Sequence, residues 1–298
     1  MDLQKLRGFY WTAHFGSVST AARKIHISQS AVSHQLRSLE TELGAKLYER
    51  THRGITLTPE GELLLGYART VVQSMEDMRD EFDDLRGQPR GTVRLAAFRG
   101  IAAYSLPDIV QRFRDLYPSV HLVVLSEIFD TEILRLTAGG EVDLGITASW
   151  NEFDRLEYLE YASYEMYACT ARDHPWVGRR EQLTLQDLAG QPLLLYEQGT
   201  AIRSRIDLVF ARHGIQPDVT VEAGGSHALV EYVKRGLGVG IISDLALGGG
   251  RDPALHAIPL TGLFGRLGYG FVLRPGRYLP VAVRAFLEVA GIAPERLP

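Results

Sequence analysis

Three polar side chains near the start of the chain have the types and the spacing needed to read a DNA sequence. Gln29, Ser33 and Arg37 follow one another at intervals of four residues, which places them in a row on one side of a helix. Glutamine can pair bidentately with adenine and arginine with guanine, while serine suits phosphate oxygens. Ser30 and His34 lie on the same polar face. A solvated amphipathic helix is the alternative, because most polar helix faces contact only water.

Three short helical segments are predicted to position this row. Apolar residues recur at helical spacing in three consecutive stretches, with Gly16 breaking the first and with Ser17 and Ser28 as N-caps of the second and third. Two helices, a tight turn and an exposed polar face match the helix-turn-helix, whose second helix lies in the major groove.

A β-hairpin, or wing, is predicted directly after the third helix. Two short β-prone pieces, residues 47–49 and 55–57, flank a polar turn that contains Gly54. Arginine at such a tip suits the negative potential of a narrow minor groove, whereas the alternative is an ordinary charged hairpin. The predicted DNA-contacting residues of the tip are Arg50, His52 and Arg53.

Residues 1–65 resemble the winged helix-turn-helix of LysR-type transcriptional regulators. The resemblance rests on an ungapped stretch at residues 16–61, GSVSTAARKIHISQSAVSHQLRSLETELGAKLYERTHRGITLTPEG. In that family the SQ-containing helix contacts bases, which implicates the same polar face of the third helix here. The resemblance implies binding to double-stranded DNA.

The charge distribution favours a polyanionic partner at this end of the chain. Residues 1–58 carry 8 Lys and Arg against 4 Asp and Glu, whereas residues 59–89 carry 3 against 8 and the remainder 21 against 24. The formal net charge of −4 over 298 residues conceals this asymmetry. The composition, 23% charged and 45% hydrophobic, argues against a disordered or fibrous protein.

The single cysteine, Cys169, cannot form an internal disulfide or a multi-thiolate metal site and suits a reducing compartment. The sequence shows neither a segment resembling a signal peptide nor a run of about eighteen apolar residues. We therefore expect a cytoplasmic protein with no membrane partner.

A long amphipathic helix is predicted to begin at Pro59, with Thr58 as its N-cap. Its apolar residues recur at intervals of four and three, as in a coiled-coil seam that needs a partner helix. Packing on its own domain is the alternative and the commoner fate of such helices. A length of about 28 residues favours a homodimer contact, and LysR-type regulators use their linker helix in this way. The predicted seam residues are Leu64, Ala68, Val71, Met75, Met78, Phe82 and Leu85.

The rest of the chain contains a doubled α/β pattern. Residues 92–147 and residues 193–243 each read as strand, helix, strand, helix, strand. Apolar strands alternating with amphipathic helices predict parallel sheets with right-handed crossovers, and therefore two α/β lobes. Ligands of such folds bind at the carboxyl ends of the strands, so a ligand cleft is expected between the lobes.

This pattern resembles the effector domain of LysR-type regulators, which is similar to periplasmic solute-binding proteins. The resemblance implies two crossing strands, near residues 161–167 and 264–269. Helix N-termini bind anions and Arg99 could clamp one, so a small organic or inorganic anion is the expected effector. An Arg99 paired with a neighbouring carboxylate is the alternative. The effector residues implied by the resemblance are Phe98, Arg99, Gly100, Thr147, Gly199, Thr200, Ser226 and His227.

The expected fold class is an α+β multidomain protein. Its parts are a winged helix-turn-helix domain at 1–58, a linker and dimerisation helix at 59–88, and a two-lobed α/β effector domain at 90–298, with lobe 1 at 90–161 and 268–298 and lobe 2 at 162–267. The expected function is a LysR-type regulator whose promoter binding responds to a small anion. Expected partners are a two-fold operator, a second copy of the chain, with a homotetramer as the alternative, and RNA polymerase as a further candidate.

The protein is not expected to be an enzyme or to hold a cofactor or metal. GLGVG at residues 236–240 precedes a strand and lacks the full dinucleotide-binding order. Lys234 at a helix end is a weak candidate for a pyridoxal-phosphate lysine, and the scattered histidines lack metal-ligand spacing. A solute-binding protein explains the lobes but not the basic helix and wing, and an enzyme with an accessory DNA-binding domain is a third alternative.

Overall fold

The computed structural model describes residues 2–51, 54–84, 89–127, 129–148, 156–178, 182–247 and 253–297. The chain divides into two compact units, Met1–Arg86 and Gly87–Pro298. Because the long helix shares the first unit with the residues before it, the finer division at residues 58 and 88 stays a prediction. Within the described ranges, no helix is both long and apolar enough to span a bilayer.

The first unit is a bundle of three helices with a two-stranded wing and a long helix. Its elements are α1 (Leu3–Phe15), α2 (Val18–Ile25), α3 (Gln29–Leu43), the antiparallel pair β1 (Tyr48–Thr51) and β2 (Gly54–Leu57), and α4 (Pro59–Asp84). The predicted helix-turn-helix and wing are confirmed.

Local sequence signals set the ends of these helices. The Ser17 hydroxyl accepts from Thr20 N at 3.3 Å and caps α2, and the Ser28 hydroxyl accepts from Ala31 N at 3.1 Å and caps α3. Thr58 caps α4 as predicted, because its hydroxyl accepts from Gly61 N at 3.1 Å.

The core of this unit joins the three helices to the wing. Phe9, Leu36, Leu39 and Leu47 are all buried to within 1% of full burial. Gly54 lies at a φ of +124°, and a Cβ there would lie 2.6 Å from the Gly16 carbonyl oxygen, so only glycine lets the wing approach the end of α1 this closely.

The second unit is built on one mixed sheet flanked by helices. Its first half contains β3 (Gly91–Phe98), α5 (Arg99–Tyr104), α6 (Leu106–Leu116), β4 (Val120–Glu127), α7 (Asp130–Gly139) and β5 (Leu144–Ala148). After β6 (Glu157–Ala171) and α8 (Leu185–Ala189), the second half contains β7 (Leu193–Tyr196), α9 (Ala201–Arg212), β8 (Val219–Ala223), α10 (Ser226–Lys234) and β9 (Val239–Ser243). The chain closes with β10 (Leu255–Pro259), α11 (Thr261–Phe264), β11 (Arg266–Leu273) and α12 (Val281–Val289).

Two groups of parallel strands confirm the predicted doubled α/β plan. β3 pairs in parallel with β4 and β5, and β7 pairs in parallel with β8 and β9. The apolar strands are buried because helices cover both faces of such sheets. We call the first group with its helices the first lobe and the second group with its helices the second lobe.

Two antiparallel strands join the lobes. β6 pairs with β11 through residues 157–165 and with β9 and β10 through residues 166–171, so it belongs to both lobes. β11 runs between β6 and β5. The segments in which the family resemblance placed the crossings, 161–167 and 264–269, lie on β6 and at the start of β11 with the residues just before it.

Candidate functional site

The predicted reading face of α3 is accessible. Gln29, Ser30, His34 and Arg37 are exposed and Ser33 is half-buried, while the opposite side of the helix packs in the core. The structure brings four of these residues to one surface groove of about 770 Å³. The groove is lined by Gln29, Ser30, Ser33, Arg37, Glu40, Lys46 and Tyr48.

His34 lies on the other side of Arg37, in a second depression that it shares with Lys5 and Thr41. Arg37 lines both depressions, and its Nε donates to the Ser33 carbonyl oxygen at 3.3 Å. Lys46 was not among the sequence candidates, although a lysine just before the wing had the charge that a phosphate contact needs.

A buried carboxylate fastens the wing to α3. Glu40 accepts from Leu47 N at 3.0 Å through Oε1 and from Lys46 Nζ at 3.4 Å through Oε2. A carboxylate buried in this way is stable because charged and backbone donors replace its water.

The wing-tip residues can be followed only in part. Arg50 belongs to β1, but its side chain lies outside the described part of the structure, as do His52 and Arg53. Their predicted contacts with a minor groove therefore stay predictions.

The apolar stripe of α4 is divided between two environments. Ala68 and Val72 are buried in the unit's own core, with Leu64 packed beside them. Val71, Met78 and Phe82 are exposed, the last to 65%. The assignment of Ala68 to the dimer seam thus differs from its observed place, because α1 and the rest of the bundle already cover it.

The exposed apolar face of α4 includes two residues that sequence reasoning missed. Leu63 and Tyr67 are 67% and 68% exposed. At 100° per residue they lie on the same side of the helix as Val71, Met78 and Phe82. Met75 is half-buried, and Leu85 lies outside the described residues. We refer to Leu63, Tyr67, Val71, Met78 and Phe82 as the exposed stripe.

In the second unit, the carboxyl ends of the strands of the two lobes face each other. Arg99 follows β3, and a Cβ on Gly225, the N-cap of α10, would lie 3.8 Å from Arg99 Cδ. A Cβ on Gly199, just before α9, would lie 3.3 Å from the ring of Phe129, the N-cap of α7. We call the region around these two contacts the interlobe cleft.

Three of the predicted effector residues use their hydroxyls within the fold. Thr147 donates to Asp130, Thr200 donates to the Glu197 carbonyl oxygen at 2.9 Å, and the hydroxyls of Ser226 and Tyr196 are 2.8 Å apart. These side chains are buried and hold the strand ends and helix starts in place. Arg99, Gly199 and His227 are exposed, whereas Phe98 and Gly100 are buried.

Aromatic rings and a buried carboxylate were missed at this site. The Tyr269 ring centroid lies 6.3 Å from that of Phe98 and 5.9 Å from that of Tyr164. Burial, together with the nearby Asp130 carboxylate, raises the pKa of Tyr269 well above its usual value. Oδ2 of Asp130 is buried without a hydrogen-bond partner in the described part of the chain. Only the tertiary fold brings these distant residues together, so spacing could not reveal them.

The features that suggested enzyme chemistry have structural roles. Lys234 pairs with Glu231 at 3.3 Å, and Gly236 follows the end of α10 at a φ of +72°. Burial raises the pKa of the Cys169 thiol to about 12, which makes it a poor nucleophile. Among the residues that the structure describes, no three His, Cys, Asp or Glu side chains cluster to hold a metal ion.

Comparison with known proteins matches two families to successive parts of the chain. Residues 3–62 match the bacterial regulatory helix-turn-helix family of LysR type, and residues 86–291 match the LysR substrate binding domain. The chain is 32% identical over 275 residues to the transcriptional regulator CysB of Burkholderia cenocepacia. This alignment covers 92% of this chain and 87% of that protein.

Solved structures agree with this result. The cofactor-binding domain of the Cbl transcriptional regulator is 31% identical, with a TM-score of 0.64, and the match covers 69% of this chain and 91% of that one. A full-length OxyR variant from Pseudomonas aeruginosa has a TM-score of 0.80 at 22% identity, covers 97% of this chain and 94% of its own, and supports the fold alone. With a winged helix-turn-helix, a two-lobed ligand domain and matches across nearly its whole length, the chain belongs to the LysR family of DNA-binding transcriptional regulators.

Proposed function

We propose that this regulator changes its promoter binding when a small anion occupies the interlobe cleft, with Arg99 supplying the charge that holds the anion. The observation that carries the proposal is the position of the Arg99 side chain against Gly225. Gly225 has no side chain to cap α10, so the first amides of that helix are available to an anion. A guanidinium from the first lobe and a helix N-terminus from the second would then hold one ligand between them.

The alternative, an Arg99 paired with a carboxylate, receives no support, because Arg99 has no ion pair with any described residue. We assign the direct ligand contacts to Arg99, His227 and the backbone at Gly199. Thr147, Thr200 and Ser226 would act by holding these groups in position, since their hydroxyls already bond within the fold. The rings of Phe98 and Phe129 would limit the size of the ligand.

An anion bound in this way would favour one arrangement of the lobes over another. β6 and β11 join the lobes, so a change in lobe closure must bend these strands. Only a difference in affinity between two arrangements can shift their populations. The expected consequence is a changed spacing of the DNA-reading helices in the dimer.

Titration calorimetry with sulfate and a series of mono- and dicarboxylates tests the ligand assignment. We expect at least one of these anions to bind wild type, and Arg99→Ala to weaken its binding at least tenfold, as for the loss of a charge-assisted bidentate contact. Arg112→Ala is the matched control, because Arg112 is an exposed arginine on α6. Equal anion affinities of wild type and Arg99→Ala would show that Arg99 does not contact the ligand.

For DNA, we propose that Gln29, Ser30, Ser33, His34 and Arg37 contact the major groove and that Arg50, His52 and Arg53 contact the minor groove. Footprinting on promoter fragments should show that Arg37→Ala loses discrimination at one base pair. Lys46→Ala should instead weaken binding to all sequences and reduce its salt dependence. Arg284→Ala, an exposed change on α12, is expected to alter neither. If Arg37→Ala leaves the footprint and affinity unchanged, the proposed reading face is not the one that binds.

We further propose that the exposed stripe of α4 forms the homodimer contact. Isologous pairing of two such helices presents two reading helices and requires an operator with two-fold symmetry. Pairing of dimers into a tetramer and a contact with RNA polymerase stay predictions that no described residue supports directly. We propose no catalytic role and no cofactor beyond the effector.

A further inference from the structure

Three hydroxyl groups meet where α5 of the first lobe contacts the crossing strand β6. The Ser105 hydroxyl lies 2.5 Å from the Tyr161 hydroxyl and accepts from the Tyr164 hydroxyl at 3.0 Å. Both tyrosines belong to β6, which joins the two lobes. One serine of the first lobe therefore binds the crossing strand at two points. We call Ser105, Tyr161 and Tyr164 the hydroxyl cluster.

A β-bulge in β6 brings the two tyrosine hydroxyls to the same serine. Successive side chains of a regular strand point to opposite faces, so residues 161 and 164 would point away from each other. In the pairing of β6 with β11, the register shifts between Tyr269 and Gly270, whose partners are residues 162 and 160. Tyr161 is the extra residue between these partners. Such a residue bends its strand and re-aims the neighbouring side chains.

The short helix α5 connects the hydroxyl cluster to the interlobe cleft. Arg99 is the first residue of α5, and Ser105 directly follows the last one. Beside Arg99, a Cβ on Gly100 would lie 3.8 Å from Leu245 Cδ2. Leu245 belongs to a 3₁₀ turn, Asp244–Leu247, which directly follows β9 of the second lobe. The helix thus contacts the second lobe near its start and the crossing strand at its end.

The second lobe is tied to β6 directly beyond the hydroxyl cluster. Asp244 Oδ1 accepts from the backbone N of Glu165, the residue after Tyr164, at 3.1 Å. Burial raises the pKa of the Tyr164 hydroxyl above its usual value, so this hydroxyl keeps its proton and donates at physiological pH. Contacts from both lobes therefore border the bulge, and a different bend of β6 at this point would change the angle between the lobes.

We propose that the hydroxyl cluster is a hinge clamp, which fixes the bend of β6 at the bulge and holds the lobes in the arrangement that places Arg99 beside Gly225. Its three members are positioning residues, because they act through α5 and β6 rather than on the anion. Without the clamp, β6 adopts other bends and the arrangement competent to bind an anion becomes a smaller fraction of the population. This consequence for the anion rests on the proposed function, whereas the effect on the spacing of the lobes does not.

The distance between two nitroxide labels, one on each lobe, tests the clamp in the full chain without a ligand. Double electron–electron resonance measures this distance between Arg284→Cys on α12 and Arg212→Cys on α9, two exposed positions. α12 belongs with the first lobe, because its Phe286 ring packs 5.2 Å from that of Phe113 on α6. The native Cys169 is buried and should stay unlabelled. Dilution with unlabelled chain restricts the measurement to distances within one copy.

We expect Ser105→Ala to broaden the distance distribution and to move its maximum. Ser105→Thr, which keeps a hydroxyl, should preserve the wild-type distribution, and so should Tyr167→Phe, a control on the same strand outside the hydroxyl cluster. Joint replacement of Tyr161 and Tyr164 by phenylalanine should reproduce the effect of Ser105→Ala. Adding Ser105→Ala to that pair should then change nothing further, because the three hydroxyls act as one unit.

Calorimetry with sulfate separates the clamp from the proposed anion site. Where sulfate binds wild type, Ser105→Ala should weaken its binding about fivefold, because fewer molecules hold the competent arrangement. Coincident distance distributions of wild type and Ser105→Ala would overturn the clamp, whichever anion binds. A broadened distribution in Ser105→Ala, combined with no binding of sulfate or of the carboxylates by wild type, would support the clamp and contradict the proposed function.

Discussion

Removal of the Phe82 ring is expected to weaken the self-association of this chain through the exposed stripe. Phe82 is 65% exposed near the end of α4, and it is the largest apolar side chain there. A phenylalanine carries about 200 Å² of surface, so about 130 Å² would leave water when a second copy packs against it. At about 25 cal/mol per Å², this area contributes up to about 3 kcal/mol per chain, or twice that in a symmetric dimer.

Sedimentation velocity over a range of concentrations measures this effect directly. Phe82→Ala removes the ring from both copies, and half of the upper bound for the dimer, about 3 kcal/mol, already corresponds to about a hundredfold increase in the dimer dissociation constant, which is the expected effect. Leu116→Ala provides the matched control, because Leu116 is 63% exposed but lies on α6 of the other unit. Indistinguishable dissociation constants for wild type and Phe82→Ala would show that the exposed stripe does not carry the dimer.

Three further predictions concern local chemistry. Cys169 should resist a disulfide reagent at pH 8 and react at once in denaturant, because burial raises its pKa to about 12; rapid native-state labelling would contradict this. Ser28→Ala should lower the free energy of unfolding of the first unit by about 1 kcal/mol in urea titrations, through loss of the α3 cap. Gly238→Ala should lower the unfolding temperature by several degrees, since a Cβ would collide with the Pro192 carbonyl oxygen, whereas Gly262→Ala meets no atom within 4 Å.

Local signals carried most of the fold prediction. The N-caps Ser17, Ser28 and Thr58 and the alternation of apolar strands with amphipathic helices are written in neighbouring residues, so they could be recognised without tertiary information. The sequence alone could not separate the apolar residues of α4 into those buried in their own unit and those left exposed. A helical pattern shows that Ala68 is apolar and where it points on the helix, but not that the bundle of its own unit covers it.

Prediction of the effector site was limited in the same way. The family resemblance placed Arg99 and Thr147 at the carboxyl ends of strands, and in the structure Arg99 directly follows β3 while Thr147 lies near the end of β5. The structural role of Thr147 could not be predicted from the sequence, because its hydrogen-bond partner is Asp130 at the start of α7. Tyr164 and Tyr269 come from strands more than a hundred residues apart, and only the pairing of β6 with β11 places their rings together.

The two hydrogen bonds that Glu40 accepts from Lys46 and Leu47 have a consequence for DNA recognition. Because the carboxylate bridges α3 and the start of the hairpin, the two parts that we propose enter adjacent grooves form one rigid unit. Little conformational entropy is then lost when both parts bind DNA. The spacing between the bases contacted by α3 and those contacted by the hairpin is fixed before the protein meets the duplex. A one-base insertion between these contacts should therefore be tolerated poorly, because the duplex rather than the protein would have to deform.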